Sequence, residues 1–138
     1  MEVLEHVSDW SAAFGNLRRL VAPGGSVLIT CPFVFPLHLE PFDYFRSAPY
    51  SIQQFADSHN FSISEFHRFG GLRDVLSTLL DDASILPVEP KLRARVTVRA
   101  MRLGRRLLVR LLQREKAWTH VEVNSNAYLS NAVVLKPR

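Results

Sequence analysis

The chain has 138 residues, 47% hydrophobic and 22% charged, with a formal net charge of +4. That composition supplies one buried core and an ordinary charge content for a globular domain. A single cysteine, Cys31, excludes an internal disulfide and a cysteine-based zinc cluster, and no apolar run reaches the roughly 20 residues of a membrane span.

Glu2, Glu5 and His6 open the chain and contradict the basic-then-apolar start of a signal peptide, so a cytoplasmic location is expected. Spaced i, i+3, i+4, they share a face if the segment is helical. Ser8 or Asp9 then caps a helix whose apolar face is Trp10, Ala13, Phe14, Leu17, Leu20 and Val21. Arg18 and Arg19 sit in its last turn, where positive charge meets the helix dipole favourably. Pro23-Gly24-Gly25 ends it. Ser26 to Cys31 is a short apolar run that suits a strand covered on both faces, which makes Cys31 an inert core residue.

Cys31 to Tyr50 holds four of the eight prolines, at 32, 36, 41 and 49, and cannot form a regular helix. His38, Glu40, Asp43, Tyr44 and Arg46 are its polar groups, with Phe33, Phe35, Phe42 and Phe45 as an apolar wall. His38 is the best general-base candidate, since imidazole titrates near neutral pH. A plain proline-stiffened surface loop is the competing reading. Ser51 is expected to cap a helix containing Ile52, Phe55 and Ala56, with Asn60 as a left-handed stop. Phe61 to Phe69 reads as a strand with imperfect alternation, and His67 as a surface histidine on it.

Leu72, Val75, Leu76, Leu79 and Leu80 make a helical stripe that Pro87 and Pro90 terminate. From Arg93 to Lys116 the chain is strongly basic, with Val96, Ala100, Leu103, Leu107 and Leu111 at helical spacing. That segment reads three ways: a lid or dimerisation helix packed through its leucines, a peripheral contact with an anionic membrane, or a contact for RNA phosphates. Without interleaved aromatics the nucleic-acid reading ranks last. Asn124 to Arg138 closes the chain, with a strand from Ala127 to Leu135.

The run Glu2-Val3-Leu4-Glu5-His6-Val7, an amphipathic helix, Leu20-x-x-Pro23-Gly24-Gly25 and an apolar strand ending in Pro32 resembles the class I S-adenosylmethionine-dependent methyltransferases. The resemblance covers about residues 1–71 and 124–138. It implies an α/β fold: strands five to seven of a Rossmann-like sheet, with the last strand antiparallel between the other two. Residues 72–118 would be a helical, basic insertion within this single partial domain. It further implies methyl transfer to an oxygen or nitrogen of a small-molecule or glycan- or lipid-type acceptor. Met1, Glu2 and His6 would line the cofactor, His38 would remove the acceptor's proton, and Glu40, Asp43, Tyr44 and Arg46 would face the substrate.

Two groups of that family, the ubiquinone-pathway O-methyltransferases and the small-RNA 2′-O-methyltransferases, carry a closer pattern. Their acids and histidine bind magnesium, which would map here to Glu2, Glu5 and His6, with His38 as a fourth ligand. Many members carry Glu-His at this place without metal, where it shapes the cofactor pocket. The six glycines include no G-x-G, so the cofactor-binding strands of the family are not represented in this sequence. Met1 then reads as an internal methionine of a longer frame or as the start of a truncated relative with little activity alone. An unpaired sheet edge and self-association through it follow from the same gap. The alternative is a non-catalytic module that binds a membrane surface or protein partner through Arg93–Lys116.

Overall fold

The computed structural model describes residues 2–84, 86, 92–114 and 126–138. The described residues form a mixed α/β structure: a 3-10 turn at Leu4–His6, then α1 (Trp10–Leu20), β1 (Val27–Pro32), α2 (Pro49–Ser58), β2 (Phe61–Phe69), α3 (Leu72–Asp82), α4 (Leu92–Gln113) and β3 (Ser130–Pro137). The chain divides into two units, Met1–Gly70 with Tyr128–Arg138, and Gly71–Ala127. Met1, Pro87, Pro90, Lys116, Trp118 and Asn124 lie outside the described residues.

In the first unit the three strands form one sheet in the order β1-β3-β2, with β3 antiparallel to both neighbours. The expected position of the last strand, between the two earlier ones, is therefore observed. The register pairs Ile29 with Val133 and Cys31 with Asn131 on one side, and Ile63 with Leu135 and Phe66 with Val133 on the other. Side chains opposite one another in antiparallel strands share a face. Val27, Ile29, Cys31, Val133, Leu135, Phe61 and Ile63 accordingly point one way. There α1 and α2 supply Trp10, Phe14, Ile52 and Ala56 to a common core.

A bulge between Ile63 and Glu65 explains why the alternation of β2 is imperfect. One extra residue flips the parity, so the core face passes from Phe61 and Ile63 to Phe66. His67 is left on the outer face beside Glu65, 3.2 Å from it and exposed, as a surface histidine should be.

The expectation that the first strand is covered on both faces is corrected. Leu28, on the face away from the core, is 69% exposed. The reason is the antiparallel partner: such a sheet packs one face on its helices and leaves the other open. Leu20, expected on the buried face of α1, is exposed as well, because the helix ends there. Ser51 does not cap α2. Its hydroxyl donates to the Ala48 carbonyl, and the helix starts at Pro49, whose missing N–H costs nothing at the first position. Asp9 does cap α1, accepting from Ala12 N at 2.8 Å.

Asn60 stops α2 in the left-handed region at φ 58°. Gly70 turns out of β2 at φ 71°, and a Cβ there would stand 2.8 Å from Leu129. Conformation and space both require glycine at that position. Cys31 is fully buried, and burial pushes its thiol up to about 11.

In the second unit α3 and α4 pack on one another. Asp74 accepts from the N–H of Gly71 at 2.8 Å and so caps α3. At the other end, Arg105 of α4 donates to the carbonyls of Leu80 and Ala83, the free acceptors that a helix C-terminus presents. Val75, Val109 and Leu112 are the buried apolar side chains of the pair.

Candidate functional site

The site is built where the chain leaves β1. Ser47 N–H donates to the Pro32 carbonyl at 3.1 Å, so the loop 33–48 returns to the strand end it left. On the way back, the N–H groups of Tyr44 and Phe45 donate to the Glu5 carbonyl at 2.8 and 3.2 Å. The loop is thereby pinned to the 3-10 turn that carries Glu5 and His6. Trp10 fixes that turn from beneath through Nε1–H to the Leu4 carbonyl at 2.7 Å. Asn131, fully buried on β3, donates to the Ser47 carbonyl at 2.7 Å and accepts from the Tyr128 hydroxyl at 2.7 Å. Sequence reading missed Asn131, which appears in the sequence only as a polar break in an apolar strand.

Three side chains converge. Glu5 is 1% exposed, and its Oε1 lies 3.6 Å from His6 Nε2 and 3.7 Å from His38 Nε2. The two imidazoles meet edge to face, with ring centroids 4.9 Å apart. Among the described residues these three form the cluster of His, Cys, Asp and Glu side chains suited to a metal ion, each offering an atom within 4.8 Å of the others. Glu5 Oε2 is buried and has no hydrogen-bond partner, a costly state for a carboxylate oxygen.

The partners of the other ring nitrogens fix how the two rings are oriented. His6 Nδ1 lies 2.7 Å from the Phe42 carbonyl, so Nδ1 donates there and Nε2 faces Glu5. His38 Nδ1 lies 3.3 Å from Pro36 O, 3.4 Å from Asp43 Oδ2 and 3.5 Å from Arg46 Nη2, so acceptors and a donor both hold that edge of the ring. Such outer partners orient metal-binding imidazoles.

Asp43 and Arg46 were expected to face a substrate. They are instead locked together, Arg46 donating to both carboxylate oxygens of Asp43 at 2.5 and 2.6 Å. Arg46 also donates to the carbonyls of Phe35 and Pro36, and Asp43 accepts from the backbone N–H of His38 at 2.8 Å. Hydrogen bonding from Arg46 holds the Asp43 carboxyl well below the usual range, and the same bond raises the Arg46 pKa. The pair is thus a strut that fixes the backbone and ring of His38.

Glu40 and Tyr44 lie exposed on the same loop. Of the aromatic wall, Phe45 stacks into the core at 5.4 Å from Trp10, whereas Phe35 and Phe42 remain exposed. Glu2 is not part of the cluster. An apolar groove of about 300 Å³ lies elsewhere, along the outer edge of β1, lined by Val3, Leu4, Leu17 and residues 27–30.

The donor set fits a divalent ion: one carboxylate with an unsatisfied oxygen and two imidazoles whose Nε2 atoms face it. Two nitrogens among three donors suit zinc or iron(II) better than magnesium, which takes oxygen ligands. For S-adenosylmethionine the fit is poor, because no glycine-rich turn is present in the sequence to let a backbone approach the ligand. No protein-family model matches this chain, and no curated protein matches it either.

Proposed function

We propose that this chain is the acceptor-side, carboxyl-terminal part of a class I methyltransferase sheet, acting on an oxygen or nitrogen nucleophile of a small molecule. The observation that carries the reading is the convergence of Glu5, His6 and His38 at the carboxyl end of β1, in a sheet whose last strand runs antiparallel between the other two. In open α/β sheets, ligands bind at the carboxyl ends of the strands.

Glu5, His6 and His38 would hold a divalent ion, which as a Lewis acid orients acceptor hydroxyls and lowers their pKa. The Asp43–Arg46 pair keeps His38 aimed at that point, and the Phe42 carbonyl does the same for His6. His38 Nε2 is also the atom that would take the acceptor's proton, so ligation and general-base catalysis exclude one another at this atom. The unpartnered Glu5 Oε2 favours ligation. No step is assigned to S-adenosylmethionine, because the described residues provide no cradle for it.

The test extends the chain. The frame upstream of the Met1 codon is read, and the extended product is titrated with S-adenosylmethionine by calorimetry. The reading expects an apolar strand ending in G-x-G, an acidic residue about 20 positions further on, and micromolar-range binding. A stop codon directly upstream, or an extended product that does not bind, overturns it.

A further inference from the structure

The helix α4 carries a surface that the candidate site does not use. Its sequence repeats one pairing: Arg95-Val96, Arg99-Ala100, Arg102-Leu103, Arg106-Leu107 and Arg110-Leu111. Each row advances by three or four residues, so each forms a stripe along the helix, and the two stripes lie about 100° apart around it. The apolar stripe is the one legible in the sequence, and the structure turns it outward. Val96, Leu103, Leu107 and Leu111 are 49–60% exposed over about 22 Å of helix. A third face, carrying the buried Val109 and Leu112 and the bonded Arg105, is the one used against α3. Of the leucines read from the sequence as apolar on this helix, Leu112 packs and the row from Leu103 to Leu111 does not.

We propose that this double stripe docks α4 lengthwise on the anionic headgroup region of a phospholipid bilayer, with Val96, Leu103, Leu107 and Leu111 immersed and the arginine row at the phosphates. Charge and apolar area decide the occupant together. From Leu92 to Gln113 there are seven arginines and no carboxylate. A second copy of the chain would cover the leucines but bring together two arginine rows, each on a helix without a carboxylate of its own. A nucleic acid would neutralise the arginines but leave the apolar stripe in water. An anionic bilayer satisfies both, and long guanidinium side chains beside an apolar strip reach the phosphates while their stems stay in the acyl boundary. The inference is independent of the methyltransferase reading, since it uses residues of the second unit alone.

The experiment is co-sedimentation of the full chain with vesicles of phosphatidylcholine alone and with 30% phosphatidylglycerol, at 50 and 500 mM NaCl. Partition onto the anionic vesicles is expected to exceed that onto neutral ones by at least tenfold and to fall at high salt. Each arginine near such a surface contributes about fivefold, so Arg99→Glu with Arg106→Glu and Arg110→Glu lowers partition by more than a hundredfold. Leu103→Ser with Leu107→Ser lowers it at least tenfold with the charge unchanged. All five side chains are exposed, so circular dichroism should be unaltered; if a variant unfolds, the lipid and salt dependence of the unaltered chain decides. Equal partition onto both vesicles, binding that survives charge reversal, or no binding overturns the proposal. So does sedimentation with an RNA oligonucleotide but not with lipid, or a leucine-dependent dimer in light scattering without vesicle binding.

Discussion

Glu5 and His38 arise from opposite ends of the first strand's surroundings, one before α1 and one in the loop after β1, and their side chains come within 3.7 Å. His6 stands 3.6 Å from the same Glu5 oxygen. Neither distance is a hydrogen bond. The separations are those of donors arranged around a shared centre, and the remaining Glu5 oxygen has no partner. The loop is held in this arrangement by backbone bonds to Glu5 and by the Asp43–Arg46 strut, not by contacts among Glu5, His6 and His38.

A divalent ion should therefore stabilise the protein. Thermal unfolding with added ZnCl2 is expected to shift upward, by about 2.7 kcal/mol at a hundredfold excess over Kd. Glu5→Gln keeps the shape but removes the charged ligand, and the shift should vanish; His38→Ala should weaken it at least tenfold. No shift in the unaltered chain with zinc, manganese or iron(II) would remove the metal reading and leave His38 as a base.

Asp43→Asn should cost about 1–3 kcal/mol at neutral pH, because Arg46 is left bonding a neutral amide and the His38 N–H loses a charged acceptor. The sign of the pH effect follows from the depressed Asp43 pKa. Its contribution is present above the unfolded Asp value of about 4 and lost as pH falls through the folded one. Urea unfolding at pH 7, 4 and 2.5 should show the gap between the two proteins closing toward acid. A gap that widens toward acid contradicts the strut.

Asn131→Ala removes the donor to Ser47 and the acceptor of the Tyr128 hydroxyl together. A loss of about 1–3 kcal/mol is expected, since two buried groups are left unpaired. Metal affinity should fall with it if the loop's return to β1 positions His38; an unchanged affinity would confine Asn131 to stability.

Cys31 should be silent in the native state. With its pKa pushed up to about 11 by burial, the thiolate fraction at pH 8 is at least about a hundredfold below that of a free cysteine. Ellman titration should be slow in buffer and complete in denaturant; rapid native labelling would mean the core opens locally.

The amphipathic spacing of Trp10, Phe14 and Leu17, the Pro23-Gly24-Gly25 stop and the apolar run after it were sufficient to set α1 and β1, because each is a local preference of the backbone or a period along it. The same holds for Asn60, whereas His67 reaches the outer face only because the bulge flips the parity of β2. The limits came from pairing between distant segments. Alternation in β2 breaks at a bulge that only pairing with β3 creates. Leu28 reads as core by composition and lies in water because an antiparallel sheet covers one face.

Sequence by itself determined which residue types were at hand for chemistry: a carboxylate and histidine in the first turn, a histidine and an Asp–Arg pair in a proline-rich loop, and paired rows of arginine and leucine in a basic helix. Tertiary structure decided what each does. It drew His38 to Glu5 and His6 while leaving Glu2 aside, spent Asp43 and Arg46 on each other, buried Asn131 as the loop's anchor, and chose which face of α4 packs on α3. These choices depend on contacts between residues far apart in the chain. Periodicity records which residues share a face, but not what that face meets.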